Sequence, residues 1–200
     1  MELIGIEFAV ILMAVLTYLF ASIPFGLLIS KWFGLGDIRT IGSGNIGATN
    51  VLRSGNKKAA TLTLLLDCMK GAIVVVICKQ ILPEYQYSIG FLAVFSHVFS
   101  LYLKFKGGKG VATALGVYLG WNPFFGVTIL CVWIVVAKLF KISSLAALIA
   151  AVTAPFIAYF FKIDSNVIPF SALIAVLILF THRDNIKRIF NKTESSITLK

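Results

Sequence analysis

The sequence predicts an all-helical integral membrane protein, a bundle of about seven transmembrane helices, and three observations support this. Apolar residues make up 59% of the 200 residues and charged residues only 13%, where soluble domains have about 25% charged residues. The apolar residues are gathered into segments of membrane-spanning length. The basic residues fall in alternate connections between those segments. This composition excludes a soluble enzyme, and it excludes a disordered chain because so much apolar surface can be buried.

Seven apolar segments carry this prediction. In chain order they are 4–30, 60–82, 87–103, 110–121, 124–140, 143–161 and 166–181. A helix that crosses a membrane needs roughly 17–25 mostly apolar residues. Segment 110–121 is short for a crossing and is followed by Asn122 and Pro123. A half-length helix, a re-entrant segment and a total of five or six crossings therefore remain open.

The distribution of basic residues predicts the orientation. Fifteen of the 18 Lys and Arg residues lie in 31–58, 104–109, 138–143 and the tail 182–200, and the other three are Lys70, Lys79 and Lys162. By the positive-inside rule, these four regions are cytoplasmic and the N-terminus lies outside. The sequence thus predicts residues 1–200 as one polytopic membrane domain. Topology accounts for the net charge of +10, so no nucleic-acid partner is expected.

Two of the predicted cytoplasmic loops combine glycines with cations and hydrogen-bond donors. The first loop contains Gly42, Ser43, Gly44, Asn45, Thr49, Asn50 and Arg53, and the second contains Lys104, Lys106, Gly107, Gly108, Lys109 and Gly110. Glycine has no Cβ, so backbone N–H groups can converge on an anion. Each loop also runs into a helix N-terminus, which favours phosphate. Both loops are therefore predicted to bind phosphate groups.

Other motifs do not change this interpretation. Residues 42–47 match G-x-G-x-x-G, but no strand precedes them, and Asp67, twenty residues further on, lies in an apolar segment. A dinucleotide-binding unit is therefore excluded. Gly110 follows Lys109 where a Walker A motif requires Ser or Thr. Three cysteines and two histidines are too few for a disulfide framework or a zinc cluster, so neither a metal nor a cofactor is expected.

Six further polar residues lie within or beside the apolar segments. Asp67 and Lys70 share one helix face, and they form either a structural ion pair or a support for the site. His97 lies in an apolar segment, where a hydrogen-bonded structural residue is the more common role. His182 and Asn185, three residues apart where the last segment ends, can point at one site. Ser144 follows the third basic region, where it could also be only a helix N-cap.

The class of protein that these residues favour is an enzyme that acts on lipid phosphates. Two cationic loops at one membrane face suggest phosphate groups, and the apolar bundle beneath them suggests a lipid. One rival is a transporter or channel, supported by Asp67 and Lys70, although a transporter would hold its polar groups near the midplane. The other rival is a lipid-phosphate transferase that uses a nucleotide-activated lipid.

The loops resemble those of a known family, the bacterial membrane acyl-phosphate:glycerol-3-phosphate acyltransferases, or PlsY family. The resemblance rests on residues 42–53, 105–113 and 182–186, with further matches at 22–26 and 67–71. It implies a seven-helix protein of the bacterial inner membrane with its active site facing the cytoplasm. The implied reaction moves an acyl group from acyl phosphate to the 1-hydroxyl of glycerol 3-phosphate. Lysophosphatidic acid and phosphate are the products, and no acyl-enzyme forms.

The resemblance also implies roles for individual residues. Ser43 and Arg53 are essential, the glycines and lysines of the second loop bind glycerol 3-phosphate, and His182 and Asn185 are needed for activity. Ser144 lies beside the site. Asp184 stands where the family usually has Glu, as a bracing carboxylate one methylene shorter. The general base is either His182 or the phosphate of the donor. A soluble enzyme that makes acyl phosphate is an implied partner.

Overall fold

The computed structural model describes residues 2–197, with side chains from Gly5 onward. In that part of the chain the structure is α-helical, with three short 3-10 turns and no strand. The helices are α1 (Glu2–Ala21), α2 (Phe25–Trp32), α3 (Ala48–Leu52), α4 (Lys57–Ile81), α5 (Gln86–Val98), α6 (Val111–Trp121), α7 (Pro123–Phe140), α8 (Ser143–Phe160), α9 (Val167–Thr181) and α10 (Arg183–Phe190). The 3-10 turns are Ile38–Thr40, Pro83–Tyr85 and Leu101–Leu103. The predicted all-helical fold is confirmed.

The helices agree with most of the predicted segments. Five helical stretches in the described residues are long and apolar enough to cross a membrane, or six if α9 and α10, bent by 65°, are counted as one. Helix α6 has 11 residues and is therefore about 16 Å long. It is the half-length helix that the sequence left open. Length and composition alone do not give seven crossings.

The predicted segment 4–30 corresponds to one apolar stretch long enough to cross a membrane, from Gly5 to Trp32, but it is not one continuous helix. It is interrupted at residues 22–24, and α2 begins directly after Pro24, because proline has no N–H group to continue a helix. Side chains from distant parts of the chain pair with the carbonyl groups at the break. Ser100 Oγ donates to the carbonyl of Ser22 at 2.6 Å, and Lys70 Nζ donates to the carbonyl of Ile23 at 3.1 Å. Buried carbonyls at the break are thus satisfied.

Helices α4 and α6 cross in near backbone contact at the centre of the bundle. A Cβ at Gly71 of α4 would overlap the carbonyl of Thr113, and a Cβ at Gly116 of α6 would overlap the carbonyl of Cys68. Only glycine permits so close an approach. The crossing fixes α6 against α4, and with it the position of the second loop, which leads directly into α6.

Four segments that are far apart in sequence meet at one end of the bundle, which we call the loop end. Thr49 Oγ1 and Ser143 Oγ lie 3.1 Å apart, and Thr181 Oγ1 donates to the carbonyl of Lys109 at 3.2 Å. The N–H of Ile197 donates to the carbonyl of Lys141 at 2.7 Å. The loop end therefore joins both glycine-containing loops, the α7–α8 turn and the tail.

Candidate functional site

A cavity of about 490 Å³ extends from the loop end into the bundle, a volume within the usual range for a small-molecule site. Its polar wall includes ten of the predicted site residues: Ser43, Asn45, Thr49, Asn50, Arg53, Lys109, Gly110, Ser144, His182 and Asn185. Its apolar wall comes from helices α6, α7 and α8, with Leu115, Ile129, Trp133 and Ala147 among its residues. One cavity thus combines a polar and an apolar region.

The first loop presents Ser43 and Arg53 to this cavity, and Asn50 holds the loop in shape. Asn50 is buried. Its Oδ1 accepts from the N–H of Ser43 at 3.1 Å, and its Nδ2 donates to the carbonyl of Ile38 at 2.7 Å. Asn50 therefore positions Ser43, since both ends of its amide are used within the loop. Gly42 and Gly44 are exposed and do not line the cavity.

The second loop differs from the prediction in how its glycines act. The N–H of Gly107 donates to the carbonyl of Val98 at 2.9 Å, and the N–H of Gly108 donates to the carbonyl of His97 at 3.1 Å. A Cβ at Gly107 would overlap both carbonyls, and a Cβ at Gly108 would overlap the His97 ring. These glycines thus allow the loop to close onto the end of α5, and their N–H groups are not directed at an anion.

The lysines of the second loop divide into two groups. Lys104 and Lys106 are exposed and, like Gly107 and Gly108, lie outside the cavity wall. Lys109 lines the cavity, and its Nζ donates to Oδ1 of Asn185. Burial, and then the positive charge of Arg188, lower the pKa of Lys109 to about 8. Lys109 is therefore mostly protonated at neutral pH and can pair with an anion.

His182 lies at the bend between α9 and α10. It is 3% exposed, and its Nδ1 lies 2.8 Å from the carbonyl of Ile178. Because a carbonyl only accepts, Nδ1 carries the proton of the neutral ring and Nε2 is an acceptor. Burial, and then the charge of Lys109, lower the pKa of His182 to about 4. The imidazole is therefore neutral at pH 7.

The buried charges of α4 form a cluster with His97 beneath the second loop. Lys70 Nζ and Asp67 Oδ1 form an ion pair at 2.9 Å, and His97 Nδ1 lies 3.7 Å from the same carboxylate oxygen. Lys70 also bonds the break between α1 and α2, which is a structural role. Asp67 and His97 line the cavity, so the cluster also borders the site.

Two tail residues were missed by the sequence analysis. Glu194 Oε1 accepts from Ser144 Oγ at 2.8 Å and from Asn185 Nδ2 at 2.6 Å. The Arg53 guanidinium donates to Ser195 Oγ. The only signal in the sequence was a lone carboxylate near the end of a basic tail. Asp184 is exposed and lies outside the cavity wall, and the carboxylate that braces Ser144 and Asn185 in this structure is that of Glu194.

The bundle and its cavity define the class of protein. Large apolar side chains are exposed around its sides, among them Phe8, Leu139, Phe156 and Val176, as expected of a surface that faces lipid rather than water. The cavity combines basic and amide groups at the loop end with apolar walls deeper in the bundle. These features indicate an integral membrane protein with a site for an amphiphile that carries an anionic group.

Comparison with known proteins gives the family. Residues 11–192 match the glycerol-3-phosphate acyltransferase family, and the chain belongs to it. A glycerol-3-phosphate acyltransferase of Jannaschia sp. (strain CCS1) is 49% identical over 187 residues, covering 93% of this chain and 92% of the relative. The protein of that name from Brucella anthropi is 46% identical over 183 residues, covering 92% and 90%.

Solved structures agree with the sequence comparison. The crystal structure of PlsY (YgiH), an integral membrane glycerol 3-phosphate acyltransferase, in its glycerol 3-phosphate form has a TM-score of 0.89 to this structure. The two chains are 34% identical, with 94% of this chain and 95% of the other covered. The lysophosphatidic acid form gives a TM-score of 0.88. The resemblance to PlsY is thus confirmed, the chain is an acyltransferase, and the transporter interpretation is wrong.

Proposed function

We propose that the chain transfers a fatty acyl group from acyl phosphate to the 1-hydroxyl of glycerol 3-phosphate, giving lysophosphatidic acid and phosphate. The observation that carries this proposal is that one cavity has both basic groups at its mouth and apolar walls in its depth. It suits an acyl chain attached to a phosphate. Similar solved structures are described as glycerol 3-phosphate and lysophosphatidic acid forms, which supports this substrate and product.

In the proposed complex, the two phosphate groups lie at the loop end. Arg53 and Lys109 line the mouth as cations, and Ser43 offers a hydroxyl group beside them. Lys104 and Lys106 are exposed near the mouth, where they attract anionic substrates at longer range. The same basic rim is the surface we propose for the soluble enzyme that supplies acyl phosphate. The acyl chain enters the apolar cleft between α6, α7 and α8.

The reaction needs no covalent enzyme intermediate because acyl phosphate is a mixed anhydride. The glycerol 1-hydroxyl oxygen attacks the acyl carbonyl carbon, the bond from that carbon to the phosphate oxygen breaks, and phosphate leaves with the electron pair. The protein contributes alignment of two anions and stabilisation of the developing oxyanion. Ser43 needs no nucleophilic role in this scheme.

The hydroxyl proton has two candidate acceptors, His182 and the donor phosphate. A pKa of about 4 makes the His182 ring a weak base at neutral pH, whereas the phosphate of the donor gains negative charge and basicity as its bond to the acyl carbon breaks. This favours transfer of the proton to phosphate, with Nε2 of His182 orienting the hydroxyl. We expect NMR titration of His182, assigned with His182→Gln, to give a pKa well below 6. A value near 6.5 would restore His182 as the base.

The acyl donor is tested with purified protein in detergent and radiolabelled glycerol 3-phosphate. Acyl phosphate, acyl-CoA and a CDP-activated lipid are offered in separate reactions. We expect labelled lysophosphatidic acid from acyl phosphate alone, and none from Arg53→Ala with any donor. Turnover with acyl-CoA or CDP-lipid in place of acyl phosphate would contradict the proposed donor.

We further propose seven membrane passes, with α6 as a short one. The Trp121 Nε1 group at the end of α6 donates to the carbonyl of Gln86 at 3.1 Å, and Gln86 begins α5 at the end of the bundle opposite the loop end. Helix α6 therefore connects the same two ends as α5, which has 13 residues. The basic loops at the loop end support a cytoplasmic site and an external N-terminus.

The orientation is tested by cysteine labelling in intact cells. In a background without Cys68, Cys78 and Cys131, single cysteines are placed at Asn56, Asn191 and Glu84. We expect a membrane-impermeant thiol reagent to label only the cysteine at position 84. Labelling at Asn56 would place the site outside the cell, away from its phosphorylated substrates.

A further inference from the structure

The tail after α10 folds back across the mouth of the cavity. The N–H of Thr193 donates to the carbonyl of Arg188 at 2.8 Å, and the N–H of Ile197 donates to the carbonyl of Lys141 at 2.7 Å. Of the three residues between these two attachments, Glu194 and Ser195 line the cavity. The tail is therefore held at both ends and contributes two side chains to the proposed site.

The carboxylate of Glu194 connects several of these side chains. Its side chain is 5% exposed. Oε1 accepts from both Ser144 and Asn185, and Oε2 accepts from Arg188 Nε at 2.6 Å. Hydrogen bonds to an ionised group are stronger than those between neutral groups. One carboxylate of the tail thus connects the tail to both α8 and α10.

The bond to Glu194 determines which way the amide of Asn185 points. Oε1 of a carboxylate only accepts, so the NH₂ group of Asn185 must face Glu194. Oδ1 then faces the other way, where it accepts from Lys109 Nζ. If the Asn185 amide were reversed, its NH₂ group would face the Lys109 ammonium group, and two hydrogen-bond donors cannot pair. Glu194 therefore controls whether Asn185 can hold Lys109.

We propose that Glu194 is a positioning residue for acyl transfer: it fixes the amide of Asn185 and the hydroxyl of Ser144, and through Asn185 it holds the Lys109 ammonium group at the phosphate site. This inference rests on the proposed function of the same cavity. Glu194 acts through its neighbours and is not assigned a contact with substrate. Burial would raise the pKa of Glu194, but the hydrogen bonds from Asn185, Ser144 and Arg188 outweigh it and lower that pKa, so the carboxylate is ionised.

The pH dependence of activity is a readout that a merely structural role of Glu194 would not change, because it depends on the charges around Lys109. Arg188 and Arg53 lower the pKa of Lys109, after burial, whereas Glu194 and Asp184 raise it, and His182 lies close enough to feel its charge. Glu194→Gln removes one of the two stabilising carboxylates. The pKa of Lys109 then falls further below about 8. The alkaline limb of activity moves to lower pH.

The experiment compares three tail variants in the acyl phosphate assay. We expect Glu194→Gln to lower kcat/KM by about ten- to a hundred-fold, the usual range for a lost hydrogen bond to a charged group, and to move the alkaline limb to lower pH. Glu194→Asp keeps the charge but shortens the side chain, so it should have intermediate activity with the limb unmoved. Ser196→Ala, at an exposed neighbouring position, is the matched control and should behave as wild type.

A double-mutant cycle tests whether Glu194 acts through Asn185. In an Asn185→Ala background, Glu194→Gln should lower kcat/KM by less than about three-fold, because the two residues belong to one network. Independent effects that multiply would overturn the inference. So would a lower KM for glycerol 3-phosphate in Glu194→Gln at unchanged kcat, since the tail would then be an internal competitor for the phosphate site.

Thermal unfolding in detergent separates loss of fold from loss of positioning. If Glu194→Gln does not fold, Glu194→Asp decides the question, and activity equal to wild type in that variant would overturn the inference. An inactive wild-type enzyme would contradict the proposed function itself. An active wild type with an equally active Glu194→Gln variant would contradict only the positioning role.

Discussion

The two glycine-containing loops look alike in sequence and act differently in the structure. In the first loop, Ser43 and Arg53 line the cavity, and Asn50 braces the loop from within. In the second loop, Gly107 and Gly108 give their N–H groups to the end of α5, and only Lys109 and Gly110 line the cavity. The comparison shows that glycines beside cations need not present N–H donors to a ligand. In the first loop Gly42 has a positive φ and leaves room for the side chains of Asn50 and Arg53, and in the second loop the glycines let two backbone segments meet.

The largest effects should come from the cations on the cavity wall, one from each loop. We expect Arg53→Ala and Lys109→Ala each to lower kcat/KM by about a hundred-fold or more, the scale found when a group that stabilises developing charge is removed. Steady-state kinetics with acyl phosphate checks this. Lys187→Ala and Lys192→Ala, in the exposed part of the tail, serve as controls. Equal losses in these controls would indicate that bulk surface charge matters more than the cavity.

Gly108→Ala tests whether the second loop is built for close packing. The added Cβ meets the His97 ring, so we expect the melting temperature in detergent to fall by roughly 4–10 °C, as for overpacking that costs about 1–3 kcal/mol. Gly5→Ala, whose Cβ would meet nothing within 4 Å, should melt like wild type. An unchanged melting temperature with a raised KM for glycerol 3-phosphate would indicate instead that the N–H group of Gly108 donates a hydrogen bond to phosphate.

The pH dependence of substrate binding should follow Lys109. In the proposed complex its protonated form pairs with phosphate, and its pKa is lowered to about 8. The Lys109 side chain therefore loses its proton and its charge as the pH rises through that value. KM for glycerol 3-phosphate should then rise up to about ten-fold per pH unit above it. Lys109→Arg keeps its charge at all these pH values and should remove the dependence. A wild-type KM that stays constant across this range would contradict the assignment.

The smallest effects should come from Lys104 and Lys106. Both are exposed and lie outside the cavity wall, where ion pairing contributes about 0–1 kcal/mol. We expect each alanine variant to raise KM by less than about five-fold at low salt, and by less as salt rises. A loss as large as that of Lys109→Ala would show that the second loop rearranges when substrate binds.

The sequence predicted most of the helices because hydrophobic length leaves a clear pattern. The segment 143–161 is the helix Ser143–Phe160, and the convergence of the loops at one end followed from the distribution of basic residues. The break at residues 22–24 was not predicted, although Ser22 and Pro24 interrupt the apolar stretch there and proline commonly ends a helix. The length of α6 does not decide whether it crosses the membrane, because the distance it has to span depends on the helices packed around it.

The site was harder to predict wherever a residue's role depends on its partner. Arg53, His182 and Asn185 were found because their motifs are distinctive. Gly107 and Gly108 were predicted to bind phosphate, but they lie outside the cavity wall. The sequence does not show whether their N–H groups face a ligand or a carbonyl. Glu194 was missed because it lies in a tail without periodicity or a motif. Its importance arises only when the chain folds back on Asn185 and Ser144.

The break between α1 and α2 has a consequence for how the chain is made. The carbonyl of Ile23 is paired with Lys70, 47 residues later, and that of Ser22 is paired with Ser100, 78 residues later. When the first hydrophobic segment leaves the ribosome, neither partner has been synthesised. We expect the nascent segment to keep its open carbonyls near water or the translocon and to settle into lipid only after α4 and α5 arrive. The order of translation is thereby also an order of assembly.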